Sequence, residues 1–378
     1  MGPLTGVKIV EFAGIGPGPF AGMMLADMGA EILRIDRDPA TQPDRGDPTR
    51  DIPSRGRKSI TLNLKAPGAA QVALRLIGQA DALIEGFRPS VMEKLGLGPE
   101  ICHKLNPSLV YGRMTGWGQT GPLAKAAGHD INYIALSGAL WTIGEAGRDP
   151  VPPLNLLGDF GAGGMMLAYG IACGLLRARQ TGQGDVVDAA ICDGTAALMA
   201  PIYAQMAKGI WVNERQSNRL DGAAPYYGVY KCADGKWICI APLEPQFFTL
   251  FLDLLGLKPA DFADRLNPAT WAQHRTLFEG LFAARTRDEW CAVFEGTDVC
   301  FAPVLDLEEA PQHGHNRARQ VFENGAGYPQ PSPAPRFQNA PPEMPTPPPV
   351  PGSHNKTALS DWGFSAEEID KIVADGLF

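Results

Sequence analysis

The chain contains no CxxC pair and no histidine-rich cluster, so its seven cysteines, Cys102, Cys173, Cys192, Cys232, Cys239, Cys291 and Cys300, do not outline a zinc site. Their apolar neighbours, as in Ile191-Cys192 and Ile238-Cys239-Ile240, predict buried free thiols in a reducing compartment. Basic residues are not in excess: 33 Lys and Arg stand against 41 Asp and Glu, and the net charge of -8 excludes nucleic acid or an anionic membrane as the main partner. A small anionic ligand is still allowed, because a local cluster of cations can hold one whatever the total charge. No uninterrupted apolar run reaches the roughly 18 residues of a membrane span. Met1-Gly-Pro-Leu enters a strand-like run directly, and Asp375-Gly-Leu-Phe378 is not an SKL-type tail; the expectation is a cytoplasmic enzyme without a signal peptide. No internal repeat is visible.

What is present is a 45% hydrophobic chain of 378 residues, enough for a sizeable core and more than one domain. Val7–Phe12 and Glu31–Asp36 read as strands flanking a helix at 20–28, a β-α-β unit that implies a parallel sheet. Further strands are predicted at 59–64, 82–85, 109–113 and 186–191, with helices at 67–80 and 99–105, giving a doubly wound parallel-sheet α/β domain. A glycine-rich, nearly all-apolar helix runs from Asp159 to about Arg179, and another from Thr195 to about Gly209. Tyr226–Cys232 and Lys236–Ala241 alternate around Asp234-Gly235 as a hairpin; helices near 245–255 and 270–283 and a strand near 302–305 complete a small α+β domain. The boundaries expected are 1–210 for the large domain, completed by 325–378, with 211–224 as linker, 225–310 as small domain and 311–328 as return linker. Eleven prolines between Pro329 and Pro351 predict an extended run over a surface of this chain or a partner, and Ser365-Ala-Glu-Glu368 caps a terminal helix.

The turn Gly14-Ile-Gly-Pro-Gly-Pro19 invites a dinucleotide reading, with Asp36 where a ribose-binding acid would stand. Proline at 17 and 19 removes amides that such a loop aims at a pyrophosphate, so a tight turn beside a ligand groove fits better. The acid–base candidates are His129, followed by Asp130 and Asn132, and Asp159, flanked by Gly158 and Gly161. Each has a plain alternative, a surface histidine in a loop and an ordinary helix N-cap. Glu244, between apolar strand and Pro245, is a natural partner for an imidazole or else a solvated loop residue. Arg37 and Arg88 follow strands whose carboxyl ends would face a ligand, where cations can grip a phosphorylated carrier.

Gly128-His-Asp-Ile-Asn-Tyr133, Pro153-Leu-Asn-Leu-Leu-Gly-Asp159-Phe-Gly, Leu220-Asp-Gly-Ala-Ala-Pro-Tyr-Tyr227 and Glu244-Pro-Gln-Phe-Phe248 resemble the α-methylacyl-CoA racemase family, within the family III CoA-transferase (CaiB/BaiF) superfamily. The resemblance runs from Gly6-Val-Lys-Ile-Val-Glu11 to Asp298-Val-Cys-Phe-Ala-Pro-Val304. It implies that His129 and Asp159 are the two acid/base residues, with Glu244 as partner to His129. It implies CoA contacts at Arg37, at Leu62, Asn63, Leu64 and Lys65, at Lys94, and at Gly128, Asp130, Ile131, Asn132 and Tyr133, with Arg88 added by its place after a strand. It further implies an interlocked homodimer, in which the site joins the large, CoA-binding domain of one subunit to the small domain of the other. The family's methionine-rich acyl surface is only partly matched: Met199 and Met206 stand beside Ile191, Cys192, Pro201 and Ile202.

The reaction implied is racemisation of a 2-methylacyl-CoA through a planar enolate, His129 serving the S face and Asp159 the R face, with an amide at Asp159 or the following turn on the enolate oxygen. No metal or redox cofactor is called for, since coenzyme A arrives with the substrate. The rival is CoA transfer between carboxylic acids, with Asp159 as nucleophile of an acyl-enzyme; such relatives lack the Gly-His-Asp segment and carry a glycine-run loop where this chain has Pro242-Leu-Glu-Pro-Gln246. A silent acyl-CoA-binding protein is the third possibility.

Overall fold

A computed structural model describes every residue except Met1, Arg45 and Ala326. The chain forms two compact units, one holding the residues up to Ala139, Pro153–Met199 and Gln320–Phe378, the other Leu140–Pro152 and Ala200–Arg319.

The first unit is built on strands β1 (Lys8–Phe12), β2 (Glu31–Asp36), β3 (Arg57–Thr61), β4 (Ala82–Glu85), β5 (Val110–Thr115) and β6 (Asp185–Ala190). They pair in parallel in the order β3-β2-β1-β4-β5-β6, so the winding direction reverses between β1 and β4. Both faces of the sheet are buried, because alternate residues point to opposite sides. Val10, Phe12, Leu33, Ile35 and Tyr111 pack under the helices Ala69–Ile77 and Ala366–Ala374. Ile9, Ile32, Ile84 and Val110 pack under Pro17–Asp27 and Met165–Thr181. The last helix approaches closely because its contact residues are small: a Cβ on Gly174 would lie 2.6 Å from Val110 Cγ1, and one on Gly170 2.5 Å from Val187 Cγ1.

That helix differs from expectation in three ways. It is preceded by a π-helical stretch, Leu156–Gly164, so Asp159 lies inside a widened helix and is not its N-cap. The combined Leu156–Thr181 segment is long and apolar enough to cross a membrane, which a search for uninterrupted apolar runs does not detect because Asp159 and the glycines interrupt it. The fold lays it against β5 and β6 instead, yet only on one face: Met165, Tyr169 and Leu176 are exposed in this chain, where burial all round was expected. Downstream, the helix expected from Thr195 to Gly209 is two, Ile191–Leu198 and Ala200–Ala207, interrupted next to Pro201, which has no N–H to continue the ladder. The cysteines are unpaired, with Cys102 and Cys232 buried but Cys173 and Cys300 exposed.

Buried ion pairs of Arg57 and Arg55 lie beside the sheet. Arg57 donates from Nε to Glu11 Oε2 at 2.9 Å and from Nη1 to the Pro53 carbonyl at 2.6 Å. Arg55 grips Asp27 through two hydrogen bonds of 2.9 and 2.6 Å, and its Nη1 reaches Gln330 Oε1 at 3.2 Å and the Pro331 carbonyl at 2.7 Å. The proline-rich segment therefore runs over this chain's own first unit, where Gly56 N–H also donates to the Thr346 carbonyl at 2.8 Å. The terminal helix begins at the Ser365–Glu368 capping box read from sequence.

The second unit has an antiparallel sheet of β7 (Gly228–Lys231), β8 (Trp237–Ile240) and β9 (Phe301–Val304), packed on an aromatic core that includes Phe251, Phe278, Phe282 and Phe294. Its bounds correct the expected division. Residues 140–152 belong here because Arg215 lies over the Trp141 ring at 4.6 Å and donates to the carbonyls of Trp141 at 3.1 Å and Arg148 at 2.6 Å. Residues 200–210 group with the second unit too, and 320–325 with the first, where Phe322–Gly325 pairs with Tyr328–Pro331. The part of the expected return linker at Ala326 lies outside the described residues.

Removing Arg57 strands a carboxylate in the core, so Arg57→Met is expected to lower unfolding stability by about 3–5 kcal/mol, and a compensating Glu11→Leu to recover most of it. Urea denaturation of the two variants checks this.

Candidate active site

His129 is the N-cap of the helix Asp130–Leu136, in extended backbone (φ -133°, ψ 173°), and its N–H donates to Asn132 Oδ1 at 3.0 Å. The expected loop is thus the mouth of a helix. Gly128 is required before it: a Cβ there would sit 2.8 Å from Tyr133 Cε1, and Tyr133 closes the turn by donating its hydroxyl to the Gly128 carbonyl. The Tyr133 ring stands edge-on to Trp117, centroids 4.7 Å apart. Two hydrogen bonds brace the turn, and the imidazole is left exposed.

Asp159 is joined to this turn through Asp130. The Asp159 N–H donates to the buried Asp130 Oδ1 at 2.6 Å, while Asn155 Nδ2 donates to Asp159 Oδ2 at 3.2 Å. Asn155 lies four residues earlier, one helical turn away in sequence, which is the signal that could have found it. Gly158 makes the contact possible, since a Cβ there would fall 2.3 Å from Asp130 Oδ1. On the other side comes the turn after β1: Gly16, at φ +68°, would place a Cβ 3.4 Å from Asp159 Oδ2. Phe20 and Phe160 pack beside it at 4.9 Å. The Asp159 carboxyl therefore sits off the carboxyl end of β1, at the switch point of the sheet, as a tight turn flanking a groove implies. Burial raises its pKa above the ordinary aspartate value; the Asp130 charge adds to this, and the Asn155 hydrogen bond and His129 oppose it.

The other expected site residues fall into two groups. Arg37, Asn63, Lys65, Arg88, Lys94, Ile131 and Asn132 are exposed, Leu64 partly so. The charge of Arg88 reaches Tyr133, whose hydroxyl pKa is raised by burial and by Asp159. Lys94 closes the short helix Val91–Lys94, held by Glu93 to Arg113 (2.8 Å) and by Arg113 to Glu85 (2.8 Å), where burial lifts the Glu85 pKa to about 6. Leu62 differs: its side chain is in the core and its N–H donates to the Asp36 carbonyl at 2.9 Å. Asp130 and Tyr133 are also buried, the one bound to the Asp159 amide, the other to Gly128, so their side chains build the site from within. One expectation is corrected: the Asp159 amide is taken by Asp130 and is not a donor for an enolate oxygen. Glu244 is in the second unit, exposed, at the start of the helix Pro245–Leu255.

An exposed imidazole and a carboxyl with raised proton affinity thus stand on either side of one buried aspartate, beyond a parallel sheet. Residues 4–355 match the model of CoA-transferase family III, and the chain belongs to that family. It is 44% identical to the Mus musculus protein named alpha-methylacyl-CoA racemase, over 98% of this chain and 96% of that one, and 43% identical to the Homo sapiens protein of the same name with the same coverage. Its fold is similar to a crystal structure of a CaiB/BaiF family protein from Brucella suis, with TM-score 0.79 and 26% identity over 96% of this chain and 99% of that one.

Asp130→Asn keeps an acceptor for the Asp159 amide but removes the neighbouring charge. The Asp159 pKa is expected to move down toward the ordinary value in this variant, and further up in Asn155→Ala. Carbon-13 NMR of labelled aspartate across a pH series reads both; unchanged titration in Asp130→Asn would contradict the assignment of causes.

Proposed function

We propose that the chain is an α-methylacyl-CoA racemase that interconverts (R)- and (S)-2-methylacyl-CoA thioesters. Its kinship over nearly the whole length with the mouse and human racemases supports this. The observation that carries the mechanism is the His129 turn and the raised Asp159 carboxyl bound to each other through Asp130. Inversion at a carbon α to a thioester needs two groups in opposite protonation states, one on each face of a planar enolate. Neutral His129 takes the proton from the S enantiomer, and protonated Asp159 returns one from the R side; the reverse reaction exchanges the roles. A carboxyl whose proton affinity is raised by burial is suited to donating at neutral pH.

The enolate oxygen takes its donors from the first-turn amides of Asp130 and Ile131, where a helix leaves N–H groups without intrahelical acceptors. One such donor contributes about 3 kcal/mol to an oxyanion-like transition state. Arg37, Lys65, Arg88 and Lys94 bind the CoA phosphates. Glu244 orients the imidazole and favours its charged form. We further propose that Glu244 is supplied by the second subunit of an interlocked homodimer. The apolar, exposed Met165, Tyr169 and Leu176 on one helix face of the first unit, and Tyr203 and Met206 in the second, support self-association.

In D₂O, either enantiomer of a 2-methylacyl-CoA is expected to gain deuterium at the α-carbon, and His129→Ala or Asp159→Asn to slow exchange by about 10²-fold or more. A panel of acyl groups in the same assay identifies the preferred chain. Absence of exchange with every member, together with hydroxylamine trapping at Asp159 and transfer of CoA to a free acid, would replace this reading with acyl-enzyme CoA transfer.

A further inference from the structure

The sequence motif Leu220–Tyr227 has no part in the chemistry so far, yet it supports the segment that carries Glu244. Tyr226 is fully buried, and the Arg265 guanidinium lies over its ring at 5.0 Å and over that of Phe248 at 4.5 Å. From this aromatic slot Arg265 Nη2 donates to the Leu243 carbonyl at 3.0 Å. Arg265 is itself fixed, its N–H on the Phe262 carbonyl at 3.0 Å and its own carbonyl accepting Trp271 Nε1 at 2.8 Å.

A carbonyl oxygen shares a rigid plane with the next residue's nitrogen and Cα. Holding Leu243 O therefore holds the N and Cα of Glu244, and the helix that its carbonyl opens, bonded by the Phe248 N–H, sets the rest of its backbone. The rest of the segment is tied on the other side: Ala241 N–H donates to the Cys300 carbonyl at 2.8 Å, and Leu243 N–H to the Ala241 carbonyl at 2.8 Å. Cys300 takes φ +54°, a conformation that side chains other than glycine seldom adopt, so the surrounding structure imposes that contact. Phe248, under the guanidinium, is the residue whose N–H bonds the Glu244 carbonyl at 3.0 Å. One planar cation thus touches both the residue before Glu244 and the first turn after it. Lysine has neither the flat face nor the fork for this.

We propose that Arg265 is a positioning residue for Glu244, setting the angle at which that carboxylate meets the imidazole. The proposal rests on the reading of Glu244 as partner to His129. Arg219, whose charge acts on Arg265, and the Cys300 thiol near Glu244 are the neighbouring titratable groups.

The test uses the full-length chain with Glu244→Gln, Arg265→Met, Arg265→Lys and the double variant Glu244→Gln/Arg265→Met. Exchange into an (S)-2-methylacyl-CoA is followed as a function of pH. Arg265→Met is expected to lower kcat about tenfold with KM within about twofold, as for a catalytic group displaced by a fraction of an ångström. Its acidic limb moves to lower pH, as in Glu244→Gln, because an imidazole without a well-placed carboxylate binds its proton less tightly. The double variant is no slower than Glu244→Gln. Arg265→Lys, which keeps the charge and the stem, falls between wild type and Arg265→Met, and it carries the test should Arg265→Met not fold. A limb that stays in place in Arg265→Lys and Arg265→Met, or losses that add in the double variant, overturns the proposal and leaves Glu244 intact as partner. Normal exchange in Glu244→Gln removes the Glu244 reading and this proposal with it.

Discussion

The site depends on one hydrogen bond, from the Asp159 amide to the Asp130 carboxylate, 2.6 Å long and shielded from solvent on the Asp130 side. It joins two segments that are far apart in sequence, the mouth of the His129 helix and the π-helical stretch of Asp159. A backbone donor fixes position more firmly than a side-chain contact would, because no rotamer can swing it away. The acceptor is also an anion. The bond that locates Asp159 therefore places a negative charge beside its carboxyl, and burial makes that charge matter more than it would in water. Burial is the larger cause of the raised proton affinity, the atom pair that fixes position adds to it, and Gly158 is the residue that leaves room for that pair.

The scaffold explains why this happens at the end of β1. In an open parallel sheet the crevice lies where the winding reverses, here between β1 and β4. Dinucleotide-binding folds fill that crevice with amides from a glycine-rich turn. Here Pro17 and Pro19 have removed such donors, and Gly16 serves a different need, passing close to an Asp159 oxygen. The same strand order is kept with another lining. In the proposed function, charge for a phosphorylated carrier comes instead from exposed side chains such as Arg37, Arg88 and Lys94 that follow the strands, and the Glu85–Arg113–Glu93 chain steadies the last of these.

Strands were the legible part of the fold, because buried parallel strands read as short apolar runs between turn signals: five of the six fall within about two residues of their expected places, with β3 starting early at Arg57 because its arginine is buried by pairing with Glu11. The π-helical stretch was not legible, since periodicity near 3.6 cannot distinguish one wider turn. Nor was the fate of Asp130. The resemblance implies a ligand contact there, whereas its side chain is buried where Gly158, 28 positions away, leaves room for it. The unit boundaries were missed for a related reason: Arg215 on Trp141 is a long-range stacking contact between two stretches that both read as polar loop. Glu244 was marked by its flanking proline, but its support by Arg265 comes from a separate helix-turn element that carries no local signature.

The rival expectation for Asp159, a nucleophile of CoA transfer, needs the opposite charge state from the proposed acid. A nucleophile must be ionised, whereas an acid returning a proton to an enolate must hold one. What tips the balance is the neighbourhood: burial and Asp130 push Asp159 toward the protonated form, and His129 pulls against them. In the proposed racemisation Glu244 acts on His129 in the same sense, raising the proton affinity of the imidazole. Each base is then backed by its own carboxylate, Asp130 behind Asp159 and Glu244 behind His129. The proton that one base releases to the enolate is matched by the one the other has taken.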